Sequence, residues 1–183
     1  MHFTWIDYPA QYENDIETWC NDPNIHFALD DESFKAEHQW YLDTGNYVFD
    51  KNYFCKVILN ESTPVAVLML VIFSEEAKLY IPENIVYLDT LIINPVLRNQ
   101  GYGAKVITEL IQHADQLIGS NTNIYVGQIH KDNDISIKLA RKLCFHYIHT
   151  DYEINDDWFD WIYPASAADR HIAHRDNYKL RSS

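Results

Sequence analysis

The sequence predicts a mixed α/β domain, because segments of strand-like composition alternate with segments whose apolar residues have helical spacing. Two apolar runs, Val65–Phe73 and Ile85–Ile93, are far shorter than a membrane span and lack helix caps, so each is predicted to be a buried strand. The most regular amphipathic helix, Gly101–Ile118, follows the second run. A helix that joins two strands of one sheet makes them parallel, whereas a hairpin makes its strands antiparallel, so a mixed sheet is predicted. The length of 183 residues predicts one domain over residues 1–164, followed by a tail over residues 165–183.

Breaks and caps in the sequence divide the chain into elements in the order β-α-α-β-β-β-α-β-α-β-β. Gly45-Asn46 is expected to end the second helix and Gly119 the third, and either Asp132 or Asp134 to cap the fourth. In chain order, the predicted elements are Phe3–Ile6, Gln11–Trp19, Glu32–Leu42, Tyr53–Leu59, Val65–Phe73, Ile85–Ile93, Gly101–Ile118, Ile124–Ile129, Ile135–Leu143, Phe145–Ile154 and Trp158–Tyr163.

Charge and cysteine content narrow the classes of function. The formal net charge is −13, which disfavours nucleic acid or an anionic membrane surface as a partner and permits attraction of a cation. The three cysteines are odd in number and lack metal-ligand spacing, which fits a reducing compartment. No signal peptide is recognisable, so we expect a cytoplasmic protein. The histidine pairs have no acidic or cysteine partner with matching spacing, so no bound metal is expected. The sequence is compatible with assembly into a homodimer.

The loop between the strand Ile85–Ile93 and the long helix predicts an anion site. The first backbone N–H groups of a helix have no intrahelical partners, and the helix dipole places partial positive charge beside them. Gly101 and Gly103 would let a phosphate approach the backbone, and Arg98 could add a charge-assisted contact. A dinucleotide-binding loop would need a third glycine where Val106 stands, which makes a nicotinamide or flavin enzyme a poor alternative.

The spacing Arg98-x-x-Gly101-x-Gly103 after an apolar strand resembles the acyl-CoA loop of the GNAT acetyltransferase superfamily. The downstream stretch from Asn133 to Phe145 and the order of elements are also similar to that family. The resemblance implies a GNAT fold and an acyl-CoA-dependent N-acyltransferase that uses acetyl-CoA. It implies that backbone groups of Leu91, Ile92 and Ile93 bind the pantetheine arm. The remaining implied acetyl-CoA contacts are Arg98, Asn99, Gln100, Gly101, Tyr102, Gly103, Ala104, Asn133 and Ser136.

Two departures from the family pattern concern its proton-transfer groups. Ala140 stands where the family often has a tyrosine that protonates the leaving thiolate, and Gln128 stands where it often has a carboxylate base. Asp89, a lone carboxylate in an apolar strand, is the remaining candidate. The stretch Leu88-Asp89-Thr90-Leu91 is similar to aminoglycoside N-acetyltransferases, which implies that Asp89 binds the acceptor amine, accepts its proton or relays it through water.

The distribution of charge predicts a cationic acceptor. Residues 1–50 contain eleven acidic residues and one basic residue, Lys35. The resemblance implies that the first helices and the last strand pair line the acceptor cleft, where Trp40, Asp157 and Trp158 could meet an amine. An aminoglycoside- or polyamine-like molecule is therefore expected. The alternatives are a protein N-terminus or lysine as the acceptor, a non-catalytic CoA-binding regulator, and an interaction module that does not bind CoA.

Overall fold

The computed structural model describes residues 2–8, 10–22, 34–48, 53–73, 85–121, 123–148, 157–164 and 166–167. Among these residues the predicted order of elements is confirmed. No helix in the same ranges is long and apolar enough to cross a membrane. The elements are β1 Thr4–Asp7, α1 Glu13–Cys20, α2 Phe34–Val48, β2 Tyr53–Asn60, β3 Thr63–Phe73, β4 Ile85–Ile93, α3 Tyr102–Ile118, β5 Tyr125–His130, α4 Asp134–Lys142, β6 His146–Ile148 and β7 Trp158–Tyr163.

The described strands form one mixed sheet in the order β1-β2-β3-β4-β5-β7-β6, so the predicted fold class is confirmed. The chain divides into two compact units, Met1–Val71 with Leu88–Ser120 and Ile72–Tyr87 with Asn121–Ser183. The prediction of one domain up to residue 164 stays a prediction, and nearly all of the tail lies outside the described residues.

The first unit is built on an antiparallel meander. Strand β1 pairs with β2, and β2 pairs with β3 with Tyr53 opposite Val71. Side chains of β3 are almost completely buried from Val65 to Val71, as expected for a strand inside a sheet. Helix α3 is amphipathic and buries Leu110 fully. The backbone N–H of Phe3 donates to the Glu109 carboxylate at 3.2 Å, which fastens the start of the chain to α3.

The second unit has its own apolar core. Strand β5 pairs with β7, and β7 pairs with β6, both antiparallel. Phe145, which follows α4, packs on Tyr163 at a ring distance of 5.5 Å, and the Arg141 guanidinium lies over Trp161 at 5.8 Å. Arg141 of α4 and Phe145 after it therefore cover one face of β7. The opposite face carries a buried cluster, whose members are Ile85, Ile124, Val126, Ile148, Ile162 and Ala167.

Two predicted breaks, Gly45-Asn46 and the turn that includes Thr63-Pro64, lie inside elements. Helix α2 continues through Gly45-Asn46 to Val48, because one glycine inside a helix costs only about 1 kcal/mol relative to alanine. Strand β3 begins at Thr63 and includes Pro64, which pairs with Leu59 where the β2–β3 register shifts and one strand hydrogen bond can be spared.

The cap of α4 is neither Asp132 nor Asp134. Asn133 is the N-cap residue, and its Oδ1 accepts from the backbone N–H of Ser136 at 3.1 Å. All three side chains can cap a helix, so composition alone could not select among them. The predicted strand Phe145–Ile154 is described only as β6, and residues 149–154 lie outside the described residues.

Candidate functional site

The loop between β4 and α3 is held in one shape by hydrogen bonds that surround Asn94. The backbone N–H of Asn94 donates to the Val65 carbonyl at 3.0 Å, and its Nδ2 donates to the Pro64 carbonyl at 3.0 Å. Its Oδ1 accepts from the Val96 N–H at 3.2 Å and caps a short 3-10 turn, Pro95–Leu97. These contacts tie the loop to the start of β3, so the following helix begins at a fixed position.

The first turn of α3 presents backbone N–H groups without a capping side chain. Gly101 is the N-cap residue, and its carbonyl accepts the first helical hydrogen bond from the Lys105 N–H at 3.2 Å. The N–H groups of Tyr102, Gly103 and Ala104 precede that bond. By contrast, the N-terminus of α4 is capped by Asn133. The start of α3 therefore retains the donors and the partial positive charge that bind a phosphate.

Two residues with left-handed backbone shape this N-terminus. Asn99 has φ +62° and Gly101 has φ +81°, a conformation that Gly adopts freely and Asn tolerates. A Cβ placed on Gly101 would meet no atom within 4 Å. The space above Gly101 is thus open, and a pyrophosphate can approach the backbone there. The Tyr102 ring packs on Phe3 at 6.1 Å, which leaves the backbone of Tyr102 as its contribution to the anion site.

The side chain of Arg98 is engaged inside the protein. Its Nη1 donates to Asp22 Oδ2 at 2.6 Å, and its Nε donates to the Ile93 carbonyl at 3.3 Å. The Nη2 atom is buried and has no hydrogen-bond partner in the part of the chain that the structure describes. Arg98 therefore links the loop to the end of α1, a role that the sequence did not indicate. The predicted contact with a phosphate stays a prediction.

Asp89 lies half-buried in β4, two residues before the predicted pantetheine-binding segment of Leu91, Ile92 and Ile93. The Thr90 hydroxyl donates to Asp89 Oδ2 at 3.4 Å. Thr90 and Ile92 are buried, whereas Leu91 and Ile93 are only half-buried. The strand therefore turns its odd-numbered side chains toward the more open face here.

An aromatic cluster that includes Trp40 lies in the same unit as Asp89. Trp40 is half exposed and contacts Tyr41 edge-on at a ring distance of 5.0 Å. Tyr41 stacks on Tyr53 at 4.6 Å, with the rings nearly parallel. The Tyr53 hydroxyl is hydrogen-bonded to His38 Nδ1 at 2.8 Å. The cluster of Tyr8, His38, Trp40, Tyr41 and Tyr53 is called the aromatic cluster below.

Burial and nearby carboxylates set the ionisation states of this cluster. Burial, with smaller contributions from Cys55 and from the charge of Asp89, raises the pKa of Tyr53 far above its ordinary value of 10.0. Burial lowers the pKa of His38 below 6.5. At neutral pH the pair is therefore uncharged.

The remaining predicted residues lie in the second unit. Asn133 and Ser136 form the cap of α4, so Asn133 Oδ1 is used within the protein. The Asp157 carboxylate forms an ion pair with Lys131, which lowers the pKa of Asp157, and the Lys131 N–H donates to the Asp157 carbonyl at 2.7 Å. Both groups of Asp157 therefore contact Lys131 in the turn that follows β5. Trp158 contacts His130 edge-on at 5.3 Å.

Ala140 and Gln128, the two departures from the family pattern, both make contacts within the protein. Ala140 is buried on α4, and its carbonyl accepts from the Phe145 N–H at 2.9 Å, so this position offers no proton donor. Gln128 Oε1 accepts from the Tyr87 hydroxyl at 3.1 Å. Among the described residues, no group of three or more His, Cys, Asp or Glu side chains could hold a metal ion.

Comparisons with known proteins agree with this geometry. The model of the family described as the acetyltransferase (GNAT) family matches residues 12–145. No curated protein is significantly similar to the chain in sequence. Several solved structures share its fold. An aminoglycoside N(6')acetyltransferase from Legionella pneumophila superimposes with a TM-score of 0.64 at 16% identity, covering 92% of this chain and 95% of its own.

Two further structures have the same fold at similarly low identity. A chimera of the spermidine N-acetyltransferase SpeG from Vibrio cholerae and hSSAT gives a TM-score of 0.62 at 12% identity, covering 91% of this chain and 97% of its own. The Campylobacter jejuni N-acetyltransferase PseH, in complex with acetyl coenzyme A, gives 0.59 at 16% identity, covering 90% of this chain and 99% of its own.

Proposed function

Because the chain belongs to the GNAT acetyltransferase family and is therefore an acyl-CoA-dependent N-acyltransferase that uses acetyl-CoA, we propose that it acetylates a primary amine of a small cationic molecule. Aminoglycoside- and polyamine-like molecules are the proposed acceptor classes. The observation that carries this proposal is the half-buried carboxylate of Asp89 in β4, two residues before the segment that is proposed to bind the pantetheine arm. A carboxylate in this position is suited to an ammonium group.

The uncapped N-terminus of α3 fits the pyrophosphate of acetyl-CoA. In this proposal the backbone N–H groups of residues 99–104 hold the phosphates, while backbone groups of Leu91, Ile92 and Ile93 bind the pantetheine arm as an added strand would. A backbone N–H near Ile92–Ile93 would polarise the thioester carbonyl. Acetyl-CoA supplies the activated acetyl group, and a thiol with an ordinary pKa near 8.5 can leave without a strong acid.

Asp89 is the proposed group for amine recognition or deprotonation. An ammonium ion is not a nucleophile, so the acceptor must lose a proton before or during attack. Neither Gln128 nor Ala140 can exchange that proton. Asp89 can bind the ammonium and either accept its proton or pass it to water. The aminoglycoside and spermidine N-acetyltransferases among the structural relatives support cationic acceptors as the first class to test.

A CoA-release screen tests this function. The chain would be incubated with acetyl-CoA and, in separate reactions, with spermidine, kanamycin, a peptide with a free N-terminus and an acetyl-capped peptide with one lysine. Thiol release above the amine-free rate is expected with spermidine or kanamycin. Release with the peptides alone would instead identify a protein acetyltransferase, and the proposed acceptor class would be wrong.

The ion pair between Arg98 and Asp22 gives a prediction about acetyl-CoA affinity. Asp22→Asn should weaken acetyl-CoA binding by about tenfold, because the largely buried guanidinium of Arg98 would lose the charge that orients it and the loop. Calorimetric titration with acetyl-CoA measures the effect. If Asp22 instead only competed with phosphate for Arg98, the variant would bind acetyl-CoA more tightly.

The matched control for that variant is Asp7→Asn. Asp7 accepts from Lys56 Nζ at 2.6 Å, the same distance as in the Arg98 pair, but its side chain is 88% exposed. The Asp7 carboxylate is exposed and lies outside the loop that leads into α3, so this control should bind acetyl-CoA like the unmodified chain. Equal affinity loss in both variants would show that the effect is not specific to the loop.

A further inference from the structure

The start of α3 differs in charge from the starts of the other α-helices in the described part of the chain. Helices α1, α2 and α4 each carry an acidic residue in the first turn, where a negative side chain offsets the positive end of the helix dipole. Helix α3 carries none, and its fourth residue is Lys105. In a chain with 27 acidic and 14 basic residues, a cation at this end of a helix is unfavourable unless an anion binds there.

The Lys105 side chain is turned back toward the first residue of α3. Its Nζ lies 5.1 Å from the centroid of the Tyr102 ring, three residues nearer the helix start. Tyr102 is itself held in place, because its ring packs on Phe3 at 6.1 Å and its hydroxyl accepts from Asn60 Nδ2 at 3.4 Å. All four residues belong to the first compact unit. The ring therefore supports the ammonium group beside the turn whose backbone N–H groups have no capping side chain.

The ammonium group of Lys105 is available to a ligand. Lys105 is exposed, and no carboxylate of the described residues forms an ion pair with it. Most other basic side chains in the same ranges do have a carboxylate within 4.0 Å, namely Lys35, Lys56, Arg98, Lys131 and Lys138. Although acidic residues are in excess, Lys105 thus keeps its charge for an external anion.

We propose that Lys105 binds the 3′-phosphate of acetyl-CoA and thereby distinguishes acetyl-CoA from its 3′-dephospho form. The inference rests on the proposed function, because it assumes that the backbone N–H groups at the start of α3 hold the pyrophosphate. Acetyl-CoA has one further phosphate, on the ribose, and this group remains for a side chain at the edge of the same turn. A lysine ammonium on a flexible stem binds such a phosphate as a point charge.

The test is Lys105→Met in the full chain, which removes the charge and keeps most of the length of the side chain. Calorimetry gives the Kd of each variant for acetyl-CoA and for 3′-dephospho-acetyl-CoA. The unmodified chain should bind the dephospho form at least about fivefold more weakly than acetyl-CoA. Lys105→Met should lose the same factor for acetyl-CoA, while its Kd for the dephospho form stays within about twofold of that of the unmodified chain.

Lys35→Met is the matched control, because it removes the same charge from an exposed lysine of the same unit. Lys35 is paired with Glu13, so this control should bind both ligands like the unmodified chain. The melting temperature of ligand-free Lys105→Met should be unchanged or higher, because a positive charge has left the positive end of a helix dipole.

The other outcomes separate an error in the inference from an error in its premise. Equal loss for both ligands in Lys105→Met, or unchanged affinity for acetyl-CoA, would show that Lys105 does not recognise the 3′-phosphate. An equal loss in Lys35→Met would attribute the effect to net charge, and a lower melting temperature of Lys105→Met would identify a structural residue. If the unmodified chain binds both ligands equally well, only the inference about Lys105 is wrong. If it binds neither at millimolar concentration, the proposed function fails as well.

Discussion

Gly101→Asp is expected to abolish acetyl-CoA binding while the chain remains folded. The new carboxylate would enter the open space above the first turn of α3, where the pyrophosphate is proposed to lie. Two like charges about 4 Å apart repel by about 4 kcal/mol at an effective dielectric constant of 20. Repulsion of that size corresponds to a loss of affinity of roughly a thousandfold. The carboxylate could also accept hydrogen bonds from the backbone N–H groups that a phosphate needs.

Gly119→Asp is the control for this change, because Gly119 is the matching residue at the other end of α3. It has φ +67°, and a Cβ placed on it would also meet no atom within 4 Å. Both variants force a side chain into left-handed backbone at a cost of roughly 1–2 kcal/mol. The control carries an additional penalty, since a negative charge is unfavourable at a helix C-terminus.

Calorimetry with acetyl-CoA and a thermal melt of each variant separate binding from folding. The control should melt at a lower temperature than the unmodified chain and still bind acetyl-CoA. Gly101→Asp should melt closer to the unmodified chain and show no binding at millimolar acetyl-CoA. Retained binding in Gly101→Asp would remove the start of α3 from the acetyl-CoA site.

Local sequence signals predicted the elements on which this site is built. Strand β4 has the predicted bounds because a mostly apolar run lies between a proline-containing break and Asn94-Pro95. Helix α3 ends at Gly119 because a glycine in left-handed conformation satisfies the last carbonyls of a helix. Position 45 is also a glycine, but it does not have a left-handed backbone, and α2 continues through it. The residue type alone therefore did not determine where α2 ends.

The partners of the site residues could not be predicted in the same way. Arg98 and Asp22 are 76 positions apart, and no spacing rule connects a loop to the end of a distant helix. Asp160 stands opposite Gln128 only in the observed register, and a slip of one residue would place it on the other face of β7. The sequence located acidic residues in this segment, but only the tertiary structure shows that Asp157 is paired with Lys131.

Asp89→Asn is expected to lower turnover with the amine acceptor by at least about 100-fold while leaving acetyl-CoA affinity unchanged. The low end of the usual contribution of a positioned acid–base group is of this size. The substitution keeps the shape of the side chain and its ability to accept the hydrogen bond from Thr90, so β4 should be preserved. Steady-state kinetics with spermidine or kanamycin, beside calorimetry with acetyl-CoA, measures both quantities.

The division of the loss between kcat and KM for the amine identifies the role of Asp89. A fall in kcat with little change in KM for the amine indicates proton transfer, because only the transition state then loses stabilisation. A rise in KM with unchanged kcat indicates that Asp89 binds the ammonium without taking its proton. Asp115→Asn, which changes an exposed carboxylate of α3, should alter neither constant. Unchanged kcat and KM in Asp89→Asn would exclude Asp89 from the reaction, and the proton of the acceptor would then have to leave by another group.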